Sequence, residues 1–572
     1  MTVEALPAPA VGPARGGVDL SGVVMALLAA VLCLLVVLPI AWLVVFAFSD
    51  KAGAPTLGNF ATLLTDPVFL EPLLTTFVIA VSVSTICCAV AAPLGWLVAR
   101  TDVPFSGTIR TLVMASFVTP PFLGAIAWEL LAAPNSGLLN QLYRGVTGAE
   151  DPLFNIYTLT GLIFVISCYT FPYVFVLVAN ALDRIPGDLE DASAMLGASP
   201  WRTARSVTIP LAVPALVAGA LVAFLQAMTL FGSPAILALP AGFHTMTTKI
   251  WSLFQYPPKP ELAAAASLPL LVLTIVLLRG QAAVLGRRGY TVIGGKSAAP
   301  RLLRLGWLRW PALGLCLAVL CLPVFLPYGA LVNAAFSRIA SQPLTPDTFT
   351  LNNIRFVFFE LSATKLALKN TFTLGLMSAT LGSLLALVIA YLTARAAVRG
   401  HRALAFLATA PIAVPGIVLG VGLFLAYTRG PVVLYGTLWI LLLAYLTIEL
   451  PAAFQQLNAA FRSLAPELEE ASRILGASRL RTLRDVTAPL LGPSLVATWC
   501  FIFVAVVREL SAAVILFTSE TKVLSVLIFD LKESGDLAAI AVLGLTMLIL
   551  TAAVIVAANR LAGASSARLR NN

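Results

Sequence analysis

"EDASAMLGASPWRTARSVTIPL" occupies residues 190–211 and "EEASRILGASRLRTLRDVTAPL" occupies residues 469–490. The two agree at 14 of 22 positions and lie 279 residues apart. Both are polar, yet the chain around them is 59% hydrophobic and only 11% charged, with a mean hydropathy of +0.96. That composition belongs to a membrane protein, not to a water-soluble domain. Two polar copies in an apolar chain imply a duplicated unit in which this segment meets water.

A bilayer core takes roughly 20 apolar residues per helical crossing. About twelve such runs occur, at 21–48, 72–99, 111–133, 157–182, 210–231 and 260–279, then 310–336, 366–394, 403–427, 433–460, 489–516 and 537–559. The first is too long for a signal-peptide core and lacks a small-residue cleavage site, so 1–20 reads as a retained tail. The duplication extends beyond the polar segment. "TTFVIAVSVSTICCAVAAPLGWLVAR" (75–100) aligns with "NTFTLGLMSATLGSLLALVIAYLTAR" (370–395) at an offset of 295, which leaves about 16 extra residues in the first half. They are placed in "PNSGLLNQLYRGVTGAEDPLFNIYT" (134–158). Six crossings per copy make the repeats parallel.

Basic residues in short loops set orientation. With the N-terminus in the cytoplasm, about 24 of the 36 Lys and Arg fall on that side and about eleven on the other. Both termini and both polar segments are then cytoplasmic. The net charge of +10 follows from membrane insertion, and no nucleic-acid partner is expected. The seven cysteines all lie inside crossings, and His244 and His401 fall on opposite sides, so neither set suggests a metal site.

Within the repeated segment, Asp188 is a candidate N-cap for a short helix 189–196 with Leu189, Ala192 and Leu196 on one face, leaving Glu190, Asp191 and Ser193 on the other. Gly197 ends it, and Ser199 caps a second short helix that opens with Pro200. Pro210 marks the return to the membrane. The second copy repeats the plan with Leu468, Ala471, Leu475, Gly476, Ser478 and Pro489. Each half thus offers the cytoplasm a helix–Gly–helix elbow with exposed carboxylates and arginines. A solvated or lipid-bound loop needs no such fixed spacing, whereas docking of two identical partners does.

The elbows resemble the "EAA" loops of permease subunits from bacterial binding-protein-dependent ABC importers: Glu190, Asp191, Ala192, Gly197 and Pro210, then Glu469, Glu470, Ala471, Gly476 and Pro489. The first copy departs from the pattern with Asp191, and both have Ser after the Ala. The resemblance covers nearly the whole chain and is nearest to fused, two-permease proteins assigned to ferric-iron uptake. Its further support is "PLFNIYTLTGLIFVISCYTFPYVF" (152–175), "FGSPAILALPAGFHTMTTKIW" (231–251) and "VRELSAAVILFTSETKVLSVLIFDL" (507–531).

The resemblance implies an all-α polytopic fold of the MetI-like ABC importer permease type, about 12 transmembrane helices in two parallel six-helix repeats. It divides the chain into a tail (1–20), permease domain 1 (21–280, coupling loop 188–210), a cytoplasmic linker (281–309), permease domain 2 (310–560, coupling loop 467–489) and a tail (561–572). It further implies two ABC ATPase subunits on the cytoplasmic side, an extracytoplasmic substrate-binding protein, a place in the bacterial inner membrane, and ferric iron as cargo. Thiamine, polyamines and aminoethylphosphonate are cargoes of similar permeases. Relatives often carry an acidic residue where this chain has Leu230; the counterpart in the second half is Glu509.

The sequence holds no G-x-x-x-x-G-K-[ST] phosphate loop, nucleophile elbow or H-E-x-x-H. ATP and Mg are therefore expected in separate subunits, with no cofactor or catalytic residue in this chain. Rival readings are a gradient-driven twelve-helix secondary transporter and a non-transporting membrane scaffold. The first would place its Gly- and Arg-rich loop after the second crossing, where this chain has only "TDVPFSGTIR"; the second leaves the doubled elbow unexplained. Charges within crossings are costly and point to function. They are Glu129, Glu449, Arg508 and Glu509, each able to serve an interhelical ion pair or a solute path. Arg508 and Glu509 are expected near the outer end of their crossing, with partners on neighbouring helices or in water.

Overall fold

The computed structural model describes residues 21–286, 302–396, 400–428 and 432–571, and within them the regular elements are helices joined by three isolated bridges. Lipid dictates this, since every backbone N–H and C=O must be paired inside the chain and a helix does so by itself. Among the described residues ten helices are long and apolar enough to cross, and two bent helix pairs bring the number to twelve where each pair is counted as one broken span. The first half holds Gly22–Ala47, Pro67–Arg100, the pair Ser106–Val118 with Pro121–Ala132, Leu159–Asp183, Trp201–Thr229 and Pro260–Gln281. The second holds Gly306–Phe336, Ser362–Ala394, the pair His401–Ala413 with Gly416–Tyr427, Leu438–Ser463, Arg484–Val507 and Leu537–Ala558.

The third crossing of each half is therefore not the straight span expected at 111–133 and 403–427. Its limbs meet at 97° in the first half and 109° in the second. Pro120, Pro121 and Pro415 remove backbone donors, and the residues before them, Thr119, Pro120 and Val414, lie in the extended region and not the helical one. Hydropathy cannot register the bend because both limbs are apolar.

The fifth crossings also differ. Each runs directly out of its elbow through a π turn, Ala204–Thr208 or Leu483–Thr487, so there is no separate second helix and no break at Pro210 or Pro489. The extra residue of a π turn relieves the clash that a proline ring makes with the carbonyl one turn back. These crossings end at Thr229 and Val507, short of the expected 231 and 516; a short helix follows each, Gly232–Leu237 and Ala513–Leu516.

The extra residues of the first half form a helix, Leu138–Thr147, in the loop where the offsets placed them. Asn140 fastens it by donating to the carbonyls of Ala133 (2.9 Å) and Phe154 (2.8 Å) and accepting from the Phe154 N–H (2.9 Å). The expected tail 1–20 and most of the linker lie outside the described residues. At the linker's far end, the Leu303 N–H bonds to the Arg100 carbonyl (2.8 Å) and the Leu305 N–H to Asp102 Oδ1 (2.8 Å). The second half is thereby pinned to the end of the first half's second crossing.

Candidate functional site

Both elbows are built alike. The first limb is Gly187–Met195 or Glu467–Ile474, with Pro186 or Pro466 as N-cap. The expected cap, Asp188, lies inside the first turn and makes no cap bond there, although its charge suits the helix dipole. Gly197 (φ +81°) and Gly476 (φ +87°) end the limbs in the left-handed region. The next N–H, of Ala198 or Ala477, reaches back to the carbonyl of Ser193 (3.1 Å) or Ser472 (3.2 Å), which satisfies a terminal acceptor. Ser199 and Ser478 then accept from the N–H of Arg202 (3.4 Å) and Arg481 (3.3 Å), the expected caps.

The faces follow the sequence pattern only in part: Asp191 and Glu470 stay exposed as expected, but the neighbouring Glu190 and Glu469 do not. Glu190 turns inward, 3.0 Å from the Arg100 guanidinium, and accepts from Thr208 Oγ1 (2.6 Å). Glu469 repeats this with Arg395 (3.1 Å) and Thr487 (3.2 Å). Each arginine also donates to a carbonyl ahead of its elbow, of Ile185 or Leu464, at 3.3 Å. A hydroxyl pair closes the turn, Ser193 to Thr203 (2.9 Å) and Ser472 to Thr482 (3.1 Å). One carboxylate thus joins three elements: the end of the second crossing, the elbow and the start of the fifth crossing.

The elbow tips expose large apolar side chains beside charged ones. Leu196 is 89% exposed and Leu475 87%, with Met195, Ile474 and Trp201 also protruding. Ala192 and Ala471 are exposed too, as are Asp191 and Glu470, Arg202 and Arg205, Arg481 and Arg484. Buried Arg100 and part-buried Arg395 at the crossing ends draw the carboxylates in, and helical spacing alone could not reveal such distant partners.

At mid-crossing depth the breaks of the two halves come together. A Cβ on Gly232 would lie 2.6 Å from Phe122 Cβ and 3.4 Å from Leu510 Cδ2 of the other half. Arg508 donates to the carbonyl of Phe117 and stacks over that ring at 5.5 Å, so its partner is indeed on another crossing. Glu509 is different: it accepts from its own chain's Ala512 N–H (2.9 Å) and Ala513 N–H (3.2 Å), capping the short helix that follows. Glu449 is half-buried, within electrostatic reach of Glu509 and Arg508, and makes no hydrogen bond among the described residues. Tyr445, one turn earlier on the same helix, is buried with a hydroxyl that has no hydrogen-bond partner among the described residues. Sequence reading passed over Tyr445, although its spacing from Glu449 puts both on one face.

Glu129 lies near the end of its crossing that faces away from the elbows. It forms an ion pair with Lys532 of the other half (2.6 Å) and accepts from Tyr157 Oη (2.7 Å). Burial, reinforced by the Glu129 carboxylate, pushes the Tyr157 phenol up, which keeps it a donor. Lys532 and Tyr157 carried no recognisable sequence signal. Among the described residues no three His, Cys, Asp or Glu side chains group as a metal site.

Residues 91–289 and 382–571 each match the family described as binding-protein-dependent transport system inner membrane component. The chain belongs to that family. It carries the family unit twice, once per half, and is a multi-pass inner membrane protein. It is 28% identical over 456 residues to the ferric transport system permease protein FbpB of Actinobacillus pleuropneumoniae, covering 79% of this chain and 65% of that relative. A putative ferric transport system permease protein FbpB 1 of Haemophilus influenzae is 27% identical over 424 residues, 73% of this chain and 65% of the relative. The chain therefore spans just under two thirds of the length of these ferric relatives. A putative 2-aminoethylphosphonate transport system permease protein PhnV of Salmonella paratyphi A is 30% identical over 239 residues, 42% of this chain and 89% of the relative. Among solved structures, a bacterial ABC transporter involved in import of the acidic polysaccharide alginate matches at TM-score 0.39 and 17% identity, covering 47% of this chain and 96% of that one.

Proposed function

We propose that this permease is the membrane part of an ATP-driven importer that moves ferric iron from an extracytoplasmic binding protein to the cytoplasm. The observation that carries the reading is the doubled elbow: two matching tips with large exposed apolar side chains, each fixed to two crossings by one part-buried carboxylate, in a chain that twice matches a binding-protein-dependent permease family. Each tip is a seat for one ATPase subunit. Closure of the two subunits would pull the tips together, and the Arg100–Glu190–Thr208 and Arg395–Glu469–Thr487 junctions would pass that movement to the second and fifth crossings. The N- and C-termini and the elbows then lie in the cytoplasm.

Ferric iron is favoured by two relatives that each match more than 70% of this chain, both named as ferric permeases. Glu449 and Tyr445, which offer carboxylate and phenol oxygens on one helix face beside the mid-membrane breaks, suit a hard cation in transit. The phosphonate-type relative supports a small organic solute as the second reading. A deletion strain grown on limiting iron, with uptake of labelled iron measured, tests the choice. Unchanged iron uptake with loss of another nutrient would transfer the assignment to the second reading.

A further inference from the structure

On the face away from the elbows, the two halves touch through two contacts that the internal repeat makes equivalent but whose chemistry differs. Pro120 and Pro415 are the N-caps of the outer limbs of the bent crossings, and Glu129 and Phe424 each stand nine residues on. Thr247 donates to the Leu230 carbonyl (2.9 Å) as Ser525 does to that of Glu509 (2.6 Å), which aligns the partner segments. Lys532 and Phe254 each stand seven residues beyond those hydroxyls. The Glu129–Lys532 ion pair at 2.6 Å thus corresponds to the Phe424–Phe254 pair, two rings edge-on at 5.2 Å. Phe424 is also edge-on to Tyr435 at 5.1 Å.

The two contacts differ in how they can move. The ion pair, with Glu129 buried, Lys532 part-exposed and a 2.6 Å contact, is directional, and parting it while dry would leave both charges unpaired. Once water enters, both ions are solvated and the pair parts easily; Glu129 Oε2, buried with no partner, is ready to be hydrated. The aromatic pair lines a cavity of about 450 Å³ with Trp251, Tyr435 and Phe517, and its rings can roll or slide beside that space while staying in touch.

We propose that the outer gate of this permease opens on one side only, with Glu129–Lys532, supported by Tyr157, as the latch that parts and Phe254–Phe424 as the pivot that stays shut. The inference rests on the importer reading and adds to it a direction of opening and the positioning residues that set it. Solute then enters beside the Glu129 limb. The extra helix Leu138–Thr147 stands at that edge, and its Gln141 side chain donates to the Ser341 carbonyl of the second half (2.6 Å).

The test uses the full chain assembled with its ATPase and binding protein in vesicles, with the seven native cysteines replaced. Cysteines are placed either at 129 and 532 or at 254 and 424, then joined by a short bis-maleimide. Cross-linking the first pair should abolish solute uptake and solute-stimulated ATP hydrolysis, whereas cross-linking the second should leave most of both. Glu129→Gln should raise unstimulated hydrolysis several-fold, and the charge exchange Glu129→Lys with Lys532→Glu should bring it back, a rescue that simple damage to the fold would not show. Equal effects of the two cross-links, or the reverse order, would overturn the one-sided gate. Absence of ATP-driven uptake of any offered solute by the uncross-linked parent would instead remove the importer reading, and the gate with it.

Discussion

Glu190 lies 3.0 Å from Arg100, and Glu469 lies 3.1 Å from Arg395, so the same ion pair closes both elbows although the partners of each are about 90 and 74 residues apart in sequence. Both pairs are largely shielded from solvent, and both receive a threonine hydroxyl from the start of the fifth crossing. The elbow is held against the two crossings it adjoins. Its carboxylate is a joint, not a docking charge.

Removing one member of a buried pair strands the other, at a cost of about 3–5 kcal/mol, while replacing both with apolar groups of similar volume is often neutral. Arg100→Met and Glu190→Met should each lower thermal stability and abolish coupling between ATP hydrolysis and uptake. The double change should be the more stable of the three, because it leaves no buried charge unpaired. A double-mutant cycle on melting temperature and on stimulated hydrolysis checks this. Additive losses would mean that the pair is not coupled.

The exposed tips make a different prediction. Leu196 and Leu475 are almost fully exposed, so changing either to Asp should leave the permease's own stability within about 0.5 kcal/mol. If each tip is buried on docking, loss of one leucine contact weakens ATPase binding by roughly 1.5–3 kcal/mol. The double variant should lose the ATPase on purification while inserting normally. Full retention of the ATPase would show that the tips are not the seats.

Gly197 and Gly476 sit at positive φ with open space where a Cβ would go. The obstacle to substitution is therefore backbone strain and not crowding, and a β-branched residue is among the least able to bear it. Gly197→Val should reorient the elbow and reduce uptake, whereas Gly197→Asn, which tolerates the left-handed region, should retain much more. If the two variants behave alike, the turn geometry is not what matters.

Ten of the twelve expected crossings as unbroken helices, the repeat, both elbow glycines and both serine caps were legible because each rests on local signals: run length, spacing, or a residue able to take an unusual φ. The bends at Pro120 and Pro415 were visible as prolines but not as angles, since hydropathy averages over both limbs. The inward turn of Glu190 was not legible at all. It depends on Arg100, brought near only by the packing of the second crossing, and a helix-face pattern cannot weigh a partner that far along the chain. The same holds for Glu129, whose partner Lys532 belongs to the other half.

The two mid-membrane glutamates separate structure from transport. Glu509 spends both oxygens on the N–H groups of Ala512 and Ala513, so Glu509→Ala removes the cap of the helix Ala513–Leu516 and should cost about 0.5–2 kcal/mol of stability. Glu449 caps nothing and makes no hydrogen bond among the described residues, so Glu449→Gln should leave melting temperature and ATPase binding nearly unchanged. If a cation passes this carboxylate, uptake should nevertheless fall steeply, and Tyr445→Phe, which deletes only the unpartnered buried hydroxyl, should lower it further without destabilising the protein. A neutral solute would be indifferent to both changes. Labelled uptake and melting temperature are therefore measured together on the three variants. Wild-type uptake in Glu449→Gln and in Tyr445→Phe would remove this helix face from the solute path.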